Sequence, residues 1–355
     1  MLPGESPSAG RSLRAATIAA CVIAAGLTIP ASAMPTAAAG ATAVVPNCAW
    51  PVVTTASTAN VAYPDTNATY WTTPYRVEPK TRLIVNGNFP SARFMSFNTY
   101  DSSFGAFSVN GVKGAIVDFE ITPNVGSLNP WHHHGARANP RGELRAGRKF
   151  RINVSSQVPT GTPNTIPNAP AGTPAGSFGF LIMRVYLPKG GDFSAVTLPT
   201  ISVVSPGGTR TIAQCTKGQQ TAPGIPNHNL PAGSAAIMKQ LAAKLSTNGD
   251  SSSGPGPCQP PTCPPDLQFA RASAATTNSV FPNSASAYVS ALLQPDPKKV
   301  VLVRALAPRT PALNPPGTQP QPWQSPRYQL RYFSLCNNIY RKPWPVVINK
   351  LPSGA

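Results

Sequence analysis

Residues 81–101, TRLIVNGNFPSARFMSFNTYD, give the clearest structural signal in the chain. Two short apolar runs, 83–85 and 94–97, flank the segment NGNFP, in which glycine and proline mark a turn. This pattern predicts a strand, a turn and a second strand, which together would form a β-hairpin. A weaker copy occurs near the C-terminus, where KKVVLVRALAP (298–308) precedes RYFSLCN (331–337).

The composition extends this signal to the whole chain. Of the 355 residues only 11% are charged, whereas proline (43) and glycine (28) are abundant. Many short apolar segments separated by Pro, Gly, Asn and Ser are typical of an all-β protein with long loops. The length predicts two domains, at about 150 residues for each domain.

Residues 1–33 have the pattern of an export signal. Arg11 and Arg14 form a basic region, an apolar stretch follows, and an Ala-Ser-Ala cleavage site ends at Ala33. A lipoprotein cleavage box ending at Cys21 is the alternative, although the apolar stretch continues past this cysteine. No later stretch is long and apolar enough to span a bilayer. We therefore expect a secreted or envelope-associated protein.

The charge balance indicates the kind of partner. The chain has 29 Lys and Arg residues against 11 Asp and Glu residues, a net charge of +18. A charge of this sign favours anionic surfaces, which for an exported protein include cell-wall polymers, lipid headgroups and acidic glycans. Solubility is the simpler interpretation of the same charge. The basic residues are scattered singly and not clustered with aromatic residues, so nucleic acid is not expected.

Five cysteines follow the predicted signal. Cys48 and Cys215 bracket the first β-rich region, and a disulfide between them, which export permits, would close that domain end to end. Cys258 and Cys263 would close a small proline-stiffened loop. Cys336 is then left over, and an odd cysteine in a secreted protein suggests a missing partner.

Composition also divides the chain into segments. Residues 34–46 are rich in Ala, Thr and Pro and are expected to be disordered. Residues 47–215 form a first β-rich domain, and residues 216–266 form a linker. A partial second β-rich domain follows over residues 267–355.

The linker contains a predicted helix over residues 234–245. Ser234 is a candidate N-cap, and three apolar residues share one face at a spacing of four: Ile237, Leu241 and Leu245. This helix is the one helical segment that the pattern predicts in the mature chain.

The second β-rich region repeats the first in the same order. Residues 83–85 correspond to 301–303, and residues 93–97 correspond to 331–335 after a longer proline-rich turn. We therefore predict an internal duplication. The second copy lacks a counterpart of everything after roughly Phe119, so we expect this sequence to be a C-terminally incomplete version of a longer protein.

With the repeated units in view, the sequence resembles a family of exported actinobacterial proteins of unknown function. The motifs that carry the resemblance are YPDTNATYWTTPYRVEPKTRLIVNGNFPSARFMSFNTYD (63–101), FGFLIMRVYLPKGG (178–191) and RYFSLCNNIYRKPWPVV (331–347). The predicted hairpin over residues 81–101, followed by FLIMRVYLP (180–188), also resembles the jelly-roll module called domain of unknown function 1214, which often pairs with a module numbered 1254. The resemblance covers roughly residues 47–215 and 267–347.

The resemblance implies a sandwich fold and brings no established activity, cofactor or catalytic residue. Together with the duplication, it predicts an all-β architecture. We expect two tandem jelly-roll-like β-sandwich domains, the second incomplete, with one short linker helix.

Candidate catalytic residues are few, because no nucleophile elbow, phosphate-binding loop or metalloprotease motif occurs in the sequence. Asp118 and Glu120 are predicted to share one face of a strand, about 7 Å apart. Two carboxylates can divide the acid and base roles in glycoside hydrolysis. A solvated strand face is the simpler interpretation.

The histidines and cysteines give no strong metal signal. His132, His133 and His134 are consecutive in a predicted loop, where they do not easily converge on one ion, and no carboxylate is close in sequence. A single pair of cysteines separated by four residues is a poor zinc site. We therefore expect neither a metal nor a cofactor.

The arginines offer a candidate ligand site. Arg184 lies inside an apolar strand and needs a partner, for which Asp101 and Asp65 are the candidates by residue type. One hypothesis is an anion-binding pocket built from Arg93, Arg184 and Tyr100, with Asp101 nearby. The alternative is a buried ion pair that fixes the strand register.

Three aromatic residues, Tyr70, Trp71 and Tyr75, could form a ligand platform, although in a sandwich such residues are more often part of the core. The leading functional hypothesis is a secreted, non-enzymatic envelope protein that binds anionic cell-wall polymers, lipid headgroups or glycans through a basic exterior. The alternatives are an extracellular glycan hydrolase that uses Asp118 and Glu120, and a structural scaffold without a small ligand.

Overall fold

The computed structural model describes a sandwich region and parts of the C-terminal region. The described residues are 44–56, 64–132, 147–223, 225, 227–247, 269–271, 280–291, 298, 300–311, 323, 325–336, 338–340 and 345–347. The predicted signal, the segment predicted to be disordered as far as residue 43, and the Cys258–Cys263 loop lie outside these residues. The disorder predicted for residues 44–46 is wrong, because Val45 is 1% exposed in the main core and the Val44 carbonyl accepts from Arg76 N–H at 2.7 Å. Within them, no helix is long and apolar enough to cross a membrane.

Strands dominate the sandwich region. In chain order they are β1 (Val52–Thr54), β2 (Ala68–Arg76), β3 (Arg82–Asn88), β4 (Ala92–Tyr100), β5 (Ser108–Val109), β6 (Val112–Lys113), β7 (Ala115–Val117), β8 (Lys149–Ser155), β9 (Thr165–Pro167), β10 (Phe178–Pro188), β11 (Thr200–Ser205) and β12 (Gly208–Ile212).

Ten of these strands form two five-stranded sheets. The first sheet has the order β1-β2-β10-β4-β7, and the second has the order β12-β11-β3-β8-β9. Every pairing is antiparallel except that of β8 with β9. Successive long strands β2, β3 and β4 alternate between the sheets, which is the crossing pattern of a jelly-roll-like sandwich. The predicted all-β sandwich class is confirmed.

The main core lies between the two sheets. Alternate residues along each strand point inward, so that β8 contributes Phe150, Ile152 and Val154 while β10 contributes Leu181 and Met183. All five of these side chains are 0% exposed. The large apolar area removed from water here is the main source of stability for the sandwich.

The predicted hairpin over residues 81–101 is wrong, although both of its strands exist. β3 pairs with β8 and β11, whereas β4 pairs with β10 and β7. The connection therefore crosses from one sheet to the other. Phe89, in this connection, is 2% exposed and packs its ring against Phe150 and Trp131, with centroids 5.0 and 6.0 Å away. Burial of this ring between the sheets favours the crossing over a surface turn.

β4 is buried along its whole length. Met95 and Phe97 point into the core between the sheets. Phe94 and Tyr100 point to the opposite side and join two further apolar clusters. Because β4 is buried on both faces, its sequence lacks a regular alternation of apolar and polar residues, so its partner strands are hard to infer from the sequence.

The Cys48–Cys215 disulfide is present and spans 167 residues of sequence. It lies beside a short backbone ladder in which Cys215 N–H donates to the Ala49 carbonyl at 3.0 Å and Ala49 N–H donates to the Ala213 carbonyl at 2.8 Å. The disulfide therefore ties the start of the sandwich to its end, as the sequence predicted. Cys336 carries a free, exposed thiol.

The linker helix is also present, as α1 (Ser234–Thr247). Ile237 and Leu241 pack into a cluster with Tyr100 and Phe180, which places the apolar face of α1 on the outer side of the first sheet. The Ser234 hydroxyl donates to the Pro231 carbonyl at 2.6 Å. This bond fixes the segment before the helix.

In the C-terminal region, the strand predicted at residues 301–303 is wrong. Residues 300–311 contain no strand, and Val300, Leu302 and Leu306 are 95%, 91% and 98% exposed. Residues 331–335 are also irregular. Among the described residues, no strand lies beside the 301–303 segment in the way that β8 and β11 lie beside β3.

Four short strands do occur in this region. They form two two-stranded pairs, β13 (Ala270–Arg271) with β14 (Val289–Ser290) and β15 (Asn338–Tyr340) with β16 (Pro345–Val347). The domain boundaries, the duplication and the incomplete second sandwich stay predictions, since segments such as 312–322 lie outside the described residues.

Candidate functional site

The outer side of the first sheet contains the candidate ligand residues. Strand alternation places six large or polar side chains on this side, which we call the covered face: Tyr70, Phe94, Asn98, Tyr100, Arg184 and Tyr186. The face is covered by α1 and by parts of the C-terminal region.

Arg184 is the central residue of the covered face. It is 4% exposed, and its Nη1 donates to the Asn98 Oδ1 atom at 2.7 Å while its Nη2 donates to the Phe281 carbonyl at 2.9 Å. The guanidinium also lies 5.6 and 5.5 Å from the ring centroids of Tyr70 and Tyr100. The structure thus brings two predicted site residues, Arg184 and Tyr100, together.

Three tyrosine hydroxyls surround this arginine. The Tyr70 and Tyr186 hydroxyls are 3.3 Å apart, and the Tyr100 hydroxyl donates to the Pro282 carbonyl at 2.8 Å. Removal from water disfavours the phenolate form and raises the pKa of Tyr70 to about 12, with the Tyr186 hydrogen bond and the Arg184 charge acting in the opposite direction. Burial likewise raises the pKa values of Tyr100 and Tyr186. These hydroxyls therefore act as neutral hydrogen-bonding groups.

Asp118 and Glu120 are not on a strand. β7 ends at Val117, and residues Asp118–Glu120 form a 3₁₀ turn, so the predicted shared strand face is wrong. Asp118 is 0% exposed. Its Oδ1 accepts from Phe119 N–H at 2.7 Å, and its Oδ2 accepts from Met95 N–H at 2.7 Å.

The Asp118 carboxylate also forms a salt bridge with Arg331, with Nη1 to Oδ1 at 2.6 Å. Burial raises the pKa of Asp118, while the Arg331 charge acts in the opposite direction. Both oxygens of this buried group are engaged within the protein. Glu120 is exposed and accepts from Val117 N–H at 2.9 Å. This arrangement supports a structural interpretation of the pair more than hydrolysis.

Arg93 lies at the other end of β4 from Tyr100 and is 2% exposed. Its Nη1 donates to the carbonyls of Pro311 and Arg331, at 2.6 and 3.0 Å. Burial lowers the pKa of Arg93, and the Arg331 charge acts in the same direction. Arg93 thus holds the C-terminal region and does not join Arg184 in one pocket.

The carboxylates predicted to pair with Arg184 have other contacts. Asp101 accepts from the Ser103 N–H and hydroxyl and from Gly105 N–H, which closes its own turn. Asp65 accepts from the hydroxyls of Tyr332 and Ser334, each at 2.7 Å. The predicted ion pair of Arg184 with Asp101 or Asp65 is therefore wrong.

The remaining candidates separate into core and surface. Trp71 and Tyr75 are 6% and 1% exposed and belong to the main core, whereas Tyr70 is on the covered face. His132 is exposed, and His133 and His134 lie outside the described residues. In the part of the chain that the structure describes, no group of three His, Cys, Asp or Glu residues is placed to hold a metal ion.

The outer side of the second sheet is largely polar, although Ile84 and Ser202 on this side are 4% and 6% exposed. Six of the outward residues of its central strands define what we call the basic face: Arg82, Asn86, Lys149, Arg151, Asn153 and Thr200. Asn86 lies between Thr200 and Arg151 in the cross-strand register. The five strands of this sheet contain no Asp or Glu residue.

The exposed charges across the described residues are strongly unequal. Thirteen Lys and Arg side chains are exposed, whereas the exposed carboxylates are Glu120 and Asp192. Near one edge of the second sheet, a cavity of about 300 Å³ is lined by residues that include Val44, Val203 and Arg210. The charge of Arg210 adds to the cationic character of this sheet.

Sequence reasoning did not identify Asn98, Tyr186 and Phe281 as neighbours of Arg184, because these contacts join residues distant in the chain. The basic face was also missed. Its signal was present in KFRINVS, residues Lys149–Ser155, where cationic and polar residues alternate with apolar ones and no acid occurs.

No family model matches the chain, and no curated protein matches it. Among solved structures, the chain is similar to the crystal structure of an uncharacterized protein from Burkholderia cenocepacia, with 14% sequence identity and a TM-score of 0.30. The match covers 66% of this chain and 52% of that chain, so this chain spans about half the length of that structure. The resemblance to domain of unknown function 1214 stays a prediction.

Proposed function

We propose that this chain is an exported, non-enzymatic envelope protein that binds anionic polymers through the basic face. The observation that carries the proposal is a five-stranded sheet without any carboxylate, whose outer side presents Arg82, Lys149 and Arg151 to solvent. The disulfide between Cys48 and Cys215 supports export, because such bonds persist in oxidising compartments.

The chemistry of the basic face fits a phosphate- or carboxylate-bearing polymer. Lys149 and Arg151 are two residues apart on one strand face, a spacing of about 7 Å. The side chains of Asn86, Asn153 and Thr200 between and beside them supply hydrogen-bond donors and acceptors. A sheet surface of this kind can follow an extended polymer and does not need a deep cavity.

The decisive experiment compares two triple variants of the mature chain on immobilised polyphosphate over a salt series. The test variant carries Arg82→Glu, Lys149→Glu and Arg151→Glu. The control variant carries Lys189→Glu, Lys217→Glu and Lys239→Glu, which changes the net charge equally at three exposed positions outside the basic face.

We expect binding of the wild-type chain to weaken with salt, because salt screens exposed charges. The test variant should lose on the order of 100-fold in affinity, at about 1 kcal/mol for each basic residue near an anionic surface. The control should lose much less. Equal losses would show that net charge alone governs binding, and salt-independent binding to uncharged dextran would contradict the proposal. Vesicles with and without phosphatidylserine distinguish a lipid headgroup from a polymer.

A further inference from the structure

Arg184 carries a buried charge whose contacts are neutral. Its guanidinium is bonded to the Asn98 amide oxygen and the Phe281 carbonyl, and the rings of Tyr70 and Tyr100 flank it. In the described ranges, Arg184 forms no salt bridge with a carboxylate. A buried cation without a counter-charge costs free energy, so the geometry favours an anion at this position.

The segment that covers Arg184 occupies the place of such an anion. Residues 280–283 cross the covered face. Two consecutive carbonyl oxygens of this segment accept hydrogen bonds from side chains of the face. The Phe281 carbonyl accepts from Arg184 Nη2 at 2.9 Å, and the Pro282 carbonyl accepts from the Tyr100 hydroxyl at 2.8 Å. Both oxygens are neutral stand-ins for the negatively charged oxygens that a guanidinium binds more strongly.

The side chain of the same residue occupies an aromatic nest. The Phe281 ring lies 5.1 Å from the Tyr100 ring, 5.3 Å from the Phe104 ring and 5.6 Å from the Phe180 ring. Such contacts stabilise an aromatic occupant beyond its area burial. Its backbone has φ = 54°, a left-handed conformation that is unfavourable for a bulky residue. The covering segment is therefore held in place at the cost of local strain.

The two contacts together specify a ligand. From its ring, through Cβ and Cα, to its carbonyl oxygen, Phe281 has the skeleton of 3-phenylpropionate. We propose that Arg184, Asn98 and Tyr100, with the nest of Phe104 and Phe180, form a binding site for a small aromatic carboxylate that the 280–283 segment occupies in this structure.

In the bound state, one carboxylate oxygen replaces the Phe281 carbonyl on Arg184. The Tyr100 hydroxyl, released from Pro282, becomes the donor to the second oxygen. The ligand ring replaces the Phe281 ring. While the 280–283 segment occupies the site, ligand cannot bind. The apparent affinity of the wild-type chain is therefore the intrinsic affinity multiplied by the fraction of molecules in which the segment is displaced.

The test is isothermal titration calorimetry of the mature chain with 3-phenylpropionate. The variant Phe281→Ala removes the ring that holds the covering segment, and it should bind at least about tenfold more tightly than the wild-type chain. Phe333→Ala is the matched control, since Phe333 is 54% exposed and outside the nest. This control should bind like the wild-type chain.

Two comparisons identify the role of the charge. 3-Phenylpropan-1-ol has the same ring and chain without a negative charge, and it should bind Phe281→Ala at least about tenfold more weakly than the acid. Adding Arg184→Gln to Phe281→Ala should abolish the preference for the acid. Should this double variant fail to fold by circular dichroism, Tyr100→Phe in the Phe281→Ala background should reduce the preference instead.

Three results would overturn the proposal. The first is a folded Phe281→Ala variant that does not bind 3-phenylpropionate. The second is equal binding of the acid and the alcohol, which would indicate an apolar hole only. The third is equal affinity of Phe281→Ala and the wild-type chain, which would remove the competition by the 280–283 segment. None of these results bears on polymer binding at the basic face.

Discussion

The covered face and the basic face occupy the same kind of position on the two sheets, yet their arginines have opposite environments. Arg184 is 4% exposed beneath Phe281, whereas Arg151 lies on β8 of the second sheet and is exposed. Arg184 lies within the apolar run of β10, and Arg151 alternates with the apolar residues Phe150 and Ile152 of β8. The difference arises because segments distant in sequence cover one face and not the other. This cover decides whether an arginine supports the fold or is available to a partner.

The largest effect is expected where the covering layer is tied to the sandwich. Asp118→Ala removes the acceptor of the Arg331 salt bridge and of two backbone N–H groups. Leaving a buried charge unpaired costs about 3–5 kcal/mol. The free energy of unfolding from urea titration should fall by this amount. Glu120→Ala, at an exposed carboxylate, should cost no more than about 1 kcal/mol, and equal losses in the two variants would contradict the comparison.

The next effect concerns α1 on the covered face. Ile237 is 8% exposed and packs against the outer side of the first sheet. Ile237→Ala should lower the free energy of unfolding by about 2–3 kcal/mol, through lost burial and the cavity left behind. Gln240→Ala, at an exposed position on the same helix, should stay within about 0.5 kcal/mol. A similar small effect for both variants would mean that the helix does not stabilise this face.

The tyrosines of the covered face predict a loss of stability at alkaline pH. Tyr70 titrates near 10 in an unfolded chain and its pKa is raised to about 12 in the folded protein. The unfolded state therefore releases this proton first, so stability is retained below about pH 10 and falls by about 1.4 kcal/mol per pH unit between these values. Tyr70→Phe should show a correspondingly shallower pH dependence in urea titrations. An unchanged slope would place the Tyr70 hydroxyl in water.

The smallest effect is expected on the basic face. Arg151 is exposed, and its strand register is set by the inward residues Phe150 and Ile152. Arg151→Ala should change the free energy of unfolding by no more than about 0.5 kcal/mol. A loss above about 1 kcal/mol would show that this face is also involved in packing, and it would weaken the contrast with the covered face.

Features set by local chemistry were predictable from the sequence. The spacing of Ile237 and Leu241 predicted the helix and the face it buries. The positions of Cys48 and Cys215 at the ends of the first β-rich region predicted their disulfide. In the sandwich region most strand positions followed from apolar runs, because side-chain periodicity is a local property, whereas the apolar run 301–303 forms no strand.

Apart from the Cys48–Cys215 disulfide, features set by partners remote in sequence were not predictable. β3 and β4 are separated by three residues, yet the burial of Phe89 sends them to different sheets. Asp118 appeared to be a solvated strand residue, because its salt bridge with Arg331 depends on the C-terminal region folding back. The neutral surroundings of Arg184 depend on Phe281 in the same way. A sequence shows that a buried arginine needs a partner, but it does not show which one.

The crossing between β3 and β4 has a consequence for folding kinetics. Val85, in the centre of the second sheet, lies opposite Ile152 on one side and Ile201 on the other, so its neighbours arrive only after long loops have closed. Loop closure costs entropy before any pairing is gained, and topologies dominated by distant contacts fold slowly. Within the two large sheets, the tight β11–β12 turn at residues 206–207 is a local pairing that can form early. Until the two sheets have packed together, the apolar strands β4 and β10 remain exposed and can associate with other chains.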